Sequence, residues 1–599
     1  MQEYQPPIQD MRFVLDHLVD MAALAQLPGL DGFGADLARV VLDEAGRFAS
    51  GVLSPLNRRG DLDGARCKDG EVVTTPGWID AYRAFVDGGW NGLAGSTDFG
   101  GQGLPMVLAT LTEEMWNSAN MAFALCPLLT RGAAEAVLLR GSDELKRVYL
   151  EKLITGQWAG AMNLTESQAG SDLSMIRSQA RPQPDGSYRI SGQKIFITYG
   201  EHDLTENIVH LVLARTPGAP AGVKGISLFL VPKFLVNADG ILGARNDLLC
   251  TSIEHKLGIH GSPTCTMQFG TDSTESGGAI GWRIGDENRG LEIMFIMMNA
   301  ARFGVALQGL GIAERAYQRA AAYASERIQG ERSGPGGGKV SIAHHPDVRR
   351  MMLTMRSRTE AMRALAVVVA EAMDLAHLHP DAAVRDERQA FVDLMIPVVK
   401  GWFTESSTEI ASIAIQVHGG MGFVEESGAA QHLRDARITA IYEGTTGIQA
   451  NDLVGRKIAR DGAKAAKILL LQMRATLASV GVDDGADLLA IKRHFEESML
   501  CLEEGVDYVV SNFKQSQDIV LAGAAPLLDL FGIVCGGWQL LRSAVAARAL
   551  SNAEVGTAYC RSKIAVARFY AEHVLPGSSA LLAGVVSGGS VFIDVEEAA

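Results

Sequence analysis

The chain has 599 residues, 47% apolar and 21% charged, which is the composition of a folded protein and excludes a disordered one. At about 150 residues per domain the length suggests about four domains, a core large enough to need no disulfide or metal staples. With 54 basic against 69 acidic residues the net charge is −15. That argues against a nucleic-acid binder, which needs a basic footprint, and leaves open an anionic small ligand in a locally basic pocket.

Residues 1 to about 160 read as helical. Asp10–Asp20 places Met11, Val14, Leu15 and Leu18 at helical spacing. Ala35–Phe48, Leu108–Leu129 and Asp143–Ile154 continue the pattern, with a loop over Gly92–Gly103. The texture changes near 160. Ser187–Thr198 follows a Pro-Asp-Gly turn and reads as a strand pair; Asn207–Arg215, Gly225–Pro232 and Thr264–Phe269 read as further strands. Helix returns at about 287, over Leu291–Tyr323, His345–Met373, Glu387–Gln416 and Gly447–Ala459, with a Gly-rich loop at 333–338. In the last 135 or so residues, Phe495, Met499, Leu502, Val506 and Val509 form a packing stripe. The order is not βαβ alternation, so a Rossmann sheet is not expected.

Seven scattered cysteines with no CxxC predict reduced thiols in a cytoplasmic protein and no zinc ribbon. No metal site is expected: His344, His345, His255 and His260 lack ligand companions. The first residues carry no basic stretch followed by an apolar run, so no secretory signal is expected. No stretch of about 18 uncharged apolar residues stands out, so no membrane span is expected.

Three segments are chemically suggestive. Leu164-Thr-Glu-Ser-Gln-Ala-Gly-Ser-Asp172 crowds hydroxyls and backbone N–H groups into a turn able to bind a heterocycle or an anion. Gln416-Val-His-Gly-Gly-Met-Gly-Phe423 is a helix C-cap or a place where a ligand approaches the backbone. Ile441-Tyr-Glu-Gly-Thr-Thr-Gly-Ile-Gln449 sets a carboxylate beside a glycine before a helix, as a cap or as a base.

In this order and at these separations, the three segments resemble the acyl-CoA dehydrogenase family over roughly 40–460. The added length resembles its branch of about 600 residues, which includes methylthiopropanoyl-CoA and fatty acyl-CoA dehydrogenases. The resemblance implies an α+β, mostly α fold. Its parts would be a helical domain at 1–160 (with an extension to about 40), a middle β domain at 161–285, a four-helix-type domain at 286–460, and an additional helical domain at 461–599.

It also implies FAD, with Met162, Leu164, Thr165, Gly170, Phe196 and Thr198 at the flavin ring. Ser171 would serve the flavin phosphate or the substrate pantetheine. Arg327 would meet the pyrophosphate, and Gln416, Gly419 and Gly420 the adenosine end, in a neighbouring subunit. Thr445 and Gln449 would complete the cofactor contacts. Glu443 matches the catalytic base. Ala301, before Arg302, occupies the position of the alternative base and cannot act as one. Asn299, Arg302 and Gly444 would hold the substrate.

The implied reaction is α,β-dehydrogenation of an acyl-CoA to the trans-2-enoyl-CoA. Glu443 would take the α proton, hydride would pass to flavin N5, and electrons would go on to electron-transfer flavoprotein. A homodimer is expected. Three departures from the family pattern are Gln431 for a basic residue, His260 for an arginine and the Gly-rich insertion after Arg327. The alternatives are an acyl-CoA oxidase and, from another class, a DNA-associated flavoprotein of the alkylation response. The second needs a basic C-terminal domain, and 460–599 lacks a dense basic run.

Overall fold

The computed structural model describes residues 4–237, 240–270, 277–332, 338–552, 557–589 and 591. It divides into two compact units: Met1–Ser50, Pro105–Ser118 and Val305–Ala599 form one, and Gly51–Leu104 and Ala119–Gly304 the other.

The second unit is built on an eight-stranded sheet. Its order is Leu248–Ile253, Thr264–Phe269, Tyr188–Thr198, Ala279–Ile284, Ser227–Pro232, Ile208–Ala214, Ala159–Asn163, with Gln179–Pro182 also on Tyr188–Thr198. Ile208–Ala214 and Ser227–Pro232 are apolar runs, and every residue in them is buried. Pairing is antiparallel except between Ala159–Asn163 and Ile208–Ala214. Tyr188–Thr198 is one long strand and not the pair expected over 187–198; its partner across the Pro-Asp-Gly turn is Gln179–Pro182. A small hairpin, Arg66–Lys68 with Glu71–Val73, interrupts the region read as helical.

Helix Asp143–Ile154 shows why these segments fold locally as they do. Ser142 Oγ accepts the Leu145 N–H at 3.3 Å, Asp143 and Glu144 sit in the first turn and Lys152 in the last. Helix Met106–Arg140 breaks at Asn120, where φ is −161° and ψ 84°. Asn120 Oδ1 accepts the Phe123 N–H at 3.2 Å, so the asparagine caps the second half. Phe123 then packs against Trp78, Tyr82 and Phe85.

Met106–Arg140, Gly290–Glu326 and Ala524–Ser551 are each long and apolar enough by length and composition to cross a membrane. The expectation concerned uncharged stretches of about 18 residues; in each of these helices charged residues such as Arg131, Arg302 and Arg542 interrupt the apolar run. Most of each apolar window is buried inside the protein, as for helices that are apolar on all sides.

The first unit is helical. Helices Pro346–Leu378 and Ala382–His418 pack on each other, and Ala524–Asn552 packs on both. Its contact with Ala382–His418 is close because of glycine. A Cβ on Gly532 would stand 2.1 Å from Trp402 Cγ, and one on Gly536 2.6 Å from the far edge of the same ring. The stripe from Phe495 to Val509 is buried as its spacing predicts.

A buried ionic cluster joins distant parts of this unit. Arg363 donates to Asp10 at 2.7 Å, to Glu314 at 2.6 Å and to Glu114 at 2.9 Å. Lys563, from the last third of the chain, donates to Asp10 at 2.8 Å and to Glu360 at 2.7 Å. Removing one member leaves its partners charged and dry. Lys563→Met is therefore expected to cost about 3–5 kcal/mol, read as a lower urea midpoint.

Candidate active site

In the sheet unit, Met162 lies near the end of strand Ala159–Asn163, half-buried and in register with Leu211. The chain then leaves the sheet but stays tied to it. Thr165 O accepts the Ile195 N–H at 2.9 Å, and Leu164 O accepts from Lys194 Nζ at 2.9 Å. Lys194 is fully buried and also donates to Glu166 at 2.9 Å. Glu166 accepts in addition from the Arg177 and Ser178 N–H groups at 2.7 and 3.0 Å and from Ser178 Oγ at 2.6 Å. Burial alone would raise this carboxyl; the Lys194 charge and the Ser178 and Arg177 donors outweigh it and hold the group at about 2.

With the base of the turn fixed in this way, Gly170 and Ser171 stand exposed at its tip, before the Asp172 cap of the short turn Leu173–Met175. Phe196 presents its ring to solvent, 58% exposed, from a left-handed backbone at φ +59°. A phenylalanine pays strain for that conformation, which is a signature of functional positions. Thr198 follows, opposite Thr264.

Asn299 and Arg302 lie on helix Gly290–Glu326 in the same unit. Arg302 is buried, 3.5 Å from Asn299 Oδ1 and over the Phe295 ring. Ala301 beside it is buried and offers no proton acceptor. His260, one of the departures, is held by the Asp61 and Lys256 carbonyls, both at 2.9 Å.

The helical unit carries the rest. Arg327 is exposed at the end of its helix, with Gln329 Oε1 at 3.4 Å. It opens a hairpin of Ile328–Glu331 with Lys339–Ser341; residues 333–337 of the expected loop lie outside the described residues. Gln416 is exposed near the end of helix Ala382–His418. Gly419 ends that helix at φ +59°, and no atom lies within 4 Å of where a Cβ on Gly419 or Gly420 would stand. Gln431, the other departure inside the described residues, donates to Asp435 at 3.2 Å.

Glu443 sits half-buried on a left-handed backbone at φ +55°, followed by Gly444 at φ +92°. The loop is pinned through its carbonyls. Gln449 Nε2 donates to Glu443 O and Gly444 O, both at 3.2 Å, and Lys400 Nζ donates to Gly444 O at 2.6 Å. Thr445 caps the next helix through Ile448 N–H at 3.4 Å. Tyr442 donates to Gln308, and burial with the Glu443 charge pushes its phenol up.

The sequence reading did not single out Lys194 or Lys400. The available signal was a lone lysine in an apolar run: Val398-Val-Lys-Gly-Trp-Phe403 for Lys400.

Each unit, taken by itself, offers groups that suit part of a flavin dinucleotide. The pinned hydroxyl-rich turn and the exposed Phe196 ring suit a flat heterocycle. The exposed Arg327 suits a diphosphate, and the open Gly419–Gly420 turn suits close approach to the backbone. Gln449 Oε1 is buried without a partner among the described residues.

Family models match in order along the chain: acyl-CoA dehydrogenase N-terminal domain at 38–157, middle domain at 161–271, C-terminal domain at 288–458, and an acetyl-CoA dehydrogenase C-terminal-like domain at 469–596. The chain belongs to the acyl-CoA dehydrogenase family. It is therefore an oxidoreductase of a family that is FAD-dependent and acts on acyl-CoA thioesters. It is 48% identical over 578 residues to 3-methylmercaptopropionyl-CoA dehydrogenase of Ruegeria pomeroyi, covering 96% of this chain and 97% of that one. Its fold matches Caenorhabditis elegans ACDH-11 in complex with C11-CoA, with a TM-score of 0.76 at 20% identity, over 96% of this chain and 93% of that one. It also matches a Bacillus anthracis acyl-CoA dehydrogenase complexed with FAD, with a TM-score of 0.73 at 20% identity, over 96% and 92%.

The Glu166 geometry sets a pH dependence for this acyl-CoA dehydrogenase. A depressed carboxyl contributes stability that is complete above its ordinary value near 4.5 and is lost as pH falls toward about 2. Between those limits the stability gap between wild type and Glu166→Gln should close, as measured by urea titration at stepped pH.

Proposed function

We propose that this chain oxidises the α,β bond of a short acyl-CoA to the trans-2-enoyl-CoA, with Glu443 as the base and electron-transfer flavoprotein as the electron acceptor. The observation that carries the reading is the Glu443 loop: a half-buried carboxylate on a strained backbone, braced from behind through two carbonyls. FAD supplies the two-electron acceptor when bound. The residues to hold it are Met162, Leu164, Thr165, Gly170, Phe196 and Thr198 for the ring and Ser171 for the phosphate or the pantetheine, with Thr445 and Gln449 completing the contacts and Arg327, Gln416, Gly419 and Gly420 serving the FAD of a neighbouring subunit.

An α C–H is a weak acid, and the chain must help it ionise. Glu443 Oε takes the proton, while the Glu443 backbone N–H donates to the thioester oxygen and spreads the developing charge. Arg302, rigid through burial, and Asn299 would hold the CoA arm of the substrate. The high identity to the Ruegeria enzyme favours a 3-methylthio-substituted propanoyl group as the acyl chain.

Met421, Phe423 and Val424 are exposed on the glycine turn, Phe423 to 89%. Such an apolar patch supports a homodimer in which a second copy covers this turn. Seven free thiols support a cytoplasmic setting.

The test is an anaerobic titration of the FAD-loaded protein with a panel of acyl-CoAs, 3-methylthiopropanoyl-CoA and butanoyl-CoA among them. Bleaching of the flavin absorbance is expected in wild type. In Glu443→Gln the rate should fall by at least about 10²–10⁴-fold with FAD still bound. Equal bleaching by both proteins would remove Glu443 from the role, and peroxide formed in air at the turnover rate would identify an oxidase.

A further inference from the structure

Lys400 is among the largest side chains with no solvent exposure. It lies in helix Ala382–His418, between the apolar residues Val398, Val399, Trp402 and Phe403. Burying an ammonium group costs several kcal/mol unless strong acceptors receive it. One acceptor is Gly444 O at 2.6 Å, a charge-assisted bond to the Gly444–Thr445 peptide, one residue beyond Glu443. Glu443 and Gly444 both hold positive φ, so this peptide is fixed in an orientation that a non-glycine backbone leaves readily.

The surroundings make the lysine rigid. At the next residue, Gly401, the Leu528 side chain packs closely, and a Cβ there would stand 2.7 Å from its methyls. Trp402 is wedged against Gly532 and Gly536. Leu528, Gly532 and Gly536 all belong to helix Ala524–Asn552, in the additional C-terminal region. The same helix packs on Thr446–Asp452, the helix that follows the base loop and carries Gln449. The added helices thus press on both elements that grip the loop.

We propose that Lys400 is a positioning residue for proton abstraction, held in place by the added C-terminal helices and acting through the Gly444 carbonyl to fix Glu443. The proposal rests on Glu443 being the base. Lys400 does not touch the substrate; it sets the direction from which the Glu443 carboxylate reaches the α carbon. Its loss should slow the proton step and leave acyl-CoA affinity nearly unchanged.

The experiment compares Lys400→Met, Lys400→Gln and Glu443→Gln as FAD-loaded enzymes, by steady-state kinetics and by exchange of the substrate α hydrogen with deuterated water. Misplacing a reacting group by about 1 Å can cost 10²-fold, so kcat and the exchange rate should each fall about 10–100-fold in Lys400→Met, with KM within about threefold. Lys400→Gln keeps a donor without the charge and should lie between Met and wild type; it also serves if the Met variant fails to fold. Wild-type exchange and kcat in either folded variant would overturn the proposal. So would a fall that appears in KM or in FAD content alone. Full activity in Glu443→Gln would instead overturn the base assignment, which separates the two failures.

Discussion

The helical unit depends on one guanidinium. Arg363 is 1% exposed and gathers Asp10, Glu114 and Glu314, which come from three widely separated stretches of sequence. Lys563 reaches Asp10 from a fourth and ties it to Glu360. Buried ion pairs are weak evidence for net stability, because desolvation offsets much of the attraction. Their value here is specificity. An apolar contact tolerates sliding by a turn of helix, whereas three carboxylates around one fork do not. The acids respond unequally to the crowding. Burial, with Glu314 and Asp10 nearby, pushes Glu114 up to about 7 despite Arg363. Burial would raise Asp10 too, but Lys563 and Arg363 together hold it far below the carboxylate range. The lysine from the end of the chain therefore keeps a carboxylate near its beginning ionised.

That link gives the last third of the chain a physical role in the whole. The residues after 460 do not form a separate bead: the Ala524–Asn552 helix meets Trp402 through Gly532 and Gly536, and Lys563 completes the ionic cluster. Both contacts fall on the Pro346–Leu378 and Ala382–His418 helices, and the second of these supports the Glu443 loop through Lys400. A change in the added helices can thus reach the Glu443 loop by a chain of packed groups.

Most helices were legible in the sequence because their apolar residues recur at helical spacing over many turns. Ala35–Phe48, Asp143–Ile154 and the Phe495–Val509 stripe show this. The strands were less so. Ile208–Ala214 and Ser227–Pro232 stood out as apolar runs. Three-residue hairpin arms such as Arg66–Lys68 have no room for a period. Ala159–Asn163, with the sequence Ala-Gly-Ala-Met-Asn, has no β-branched or aromatic residue to signal a strand. The candidate site residues were legible by their motifs, and Phe196 and Glu443 have the strained backbones expected of such positions. The residues that brace them were not. Lys194 acts on Leu164 and Glu166, 30 and 28 positions away, and Lys400 on Gly444, 44 away. A single buried lysine reads the same in sequence whatever carbonyl it finds.

These two lysines carry the argument one step further. Each is fully buried, and each donates to a backbone carbonyl in a loop that bears candidate site residues, Leu164 in one unit and Gly444 in the other. The loops must expose hydroxyls, N–H groups or a carboxylate to a ligand, so they cannot be stabilised from the ligand side. Apolar packing from behind would hold them in place without fixing peptide orientation. A cation in a dry site does fix it, because a charge-assisted bond left unmade there costs far more than one made at the surface. Lys194 is paired with Glu166, so its loop is sensitive to acid. Lys400 grips the Gly444 carbonyl, one residue after the proposed base Glu443. On the proposal that Glu443 is the base, a brace through a carbonyl, which does not titrate, would let it change charge in turnover while the backbone that aims it stays where it is.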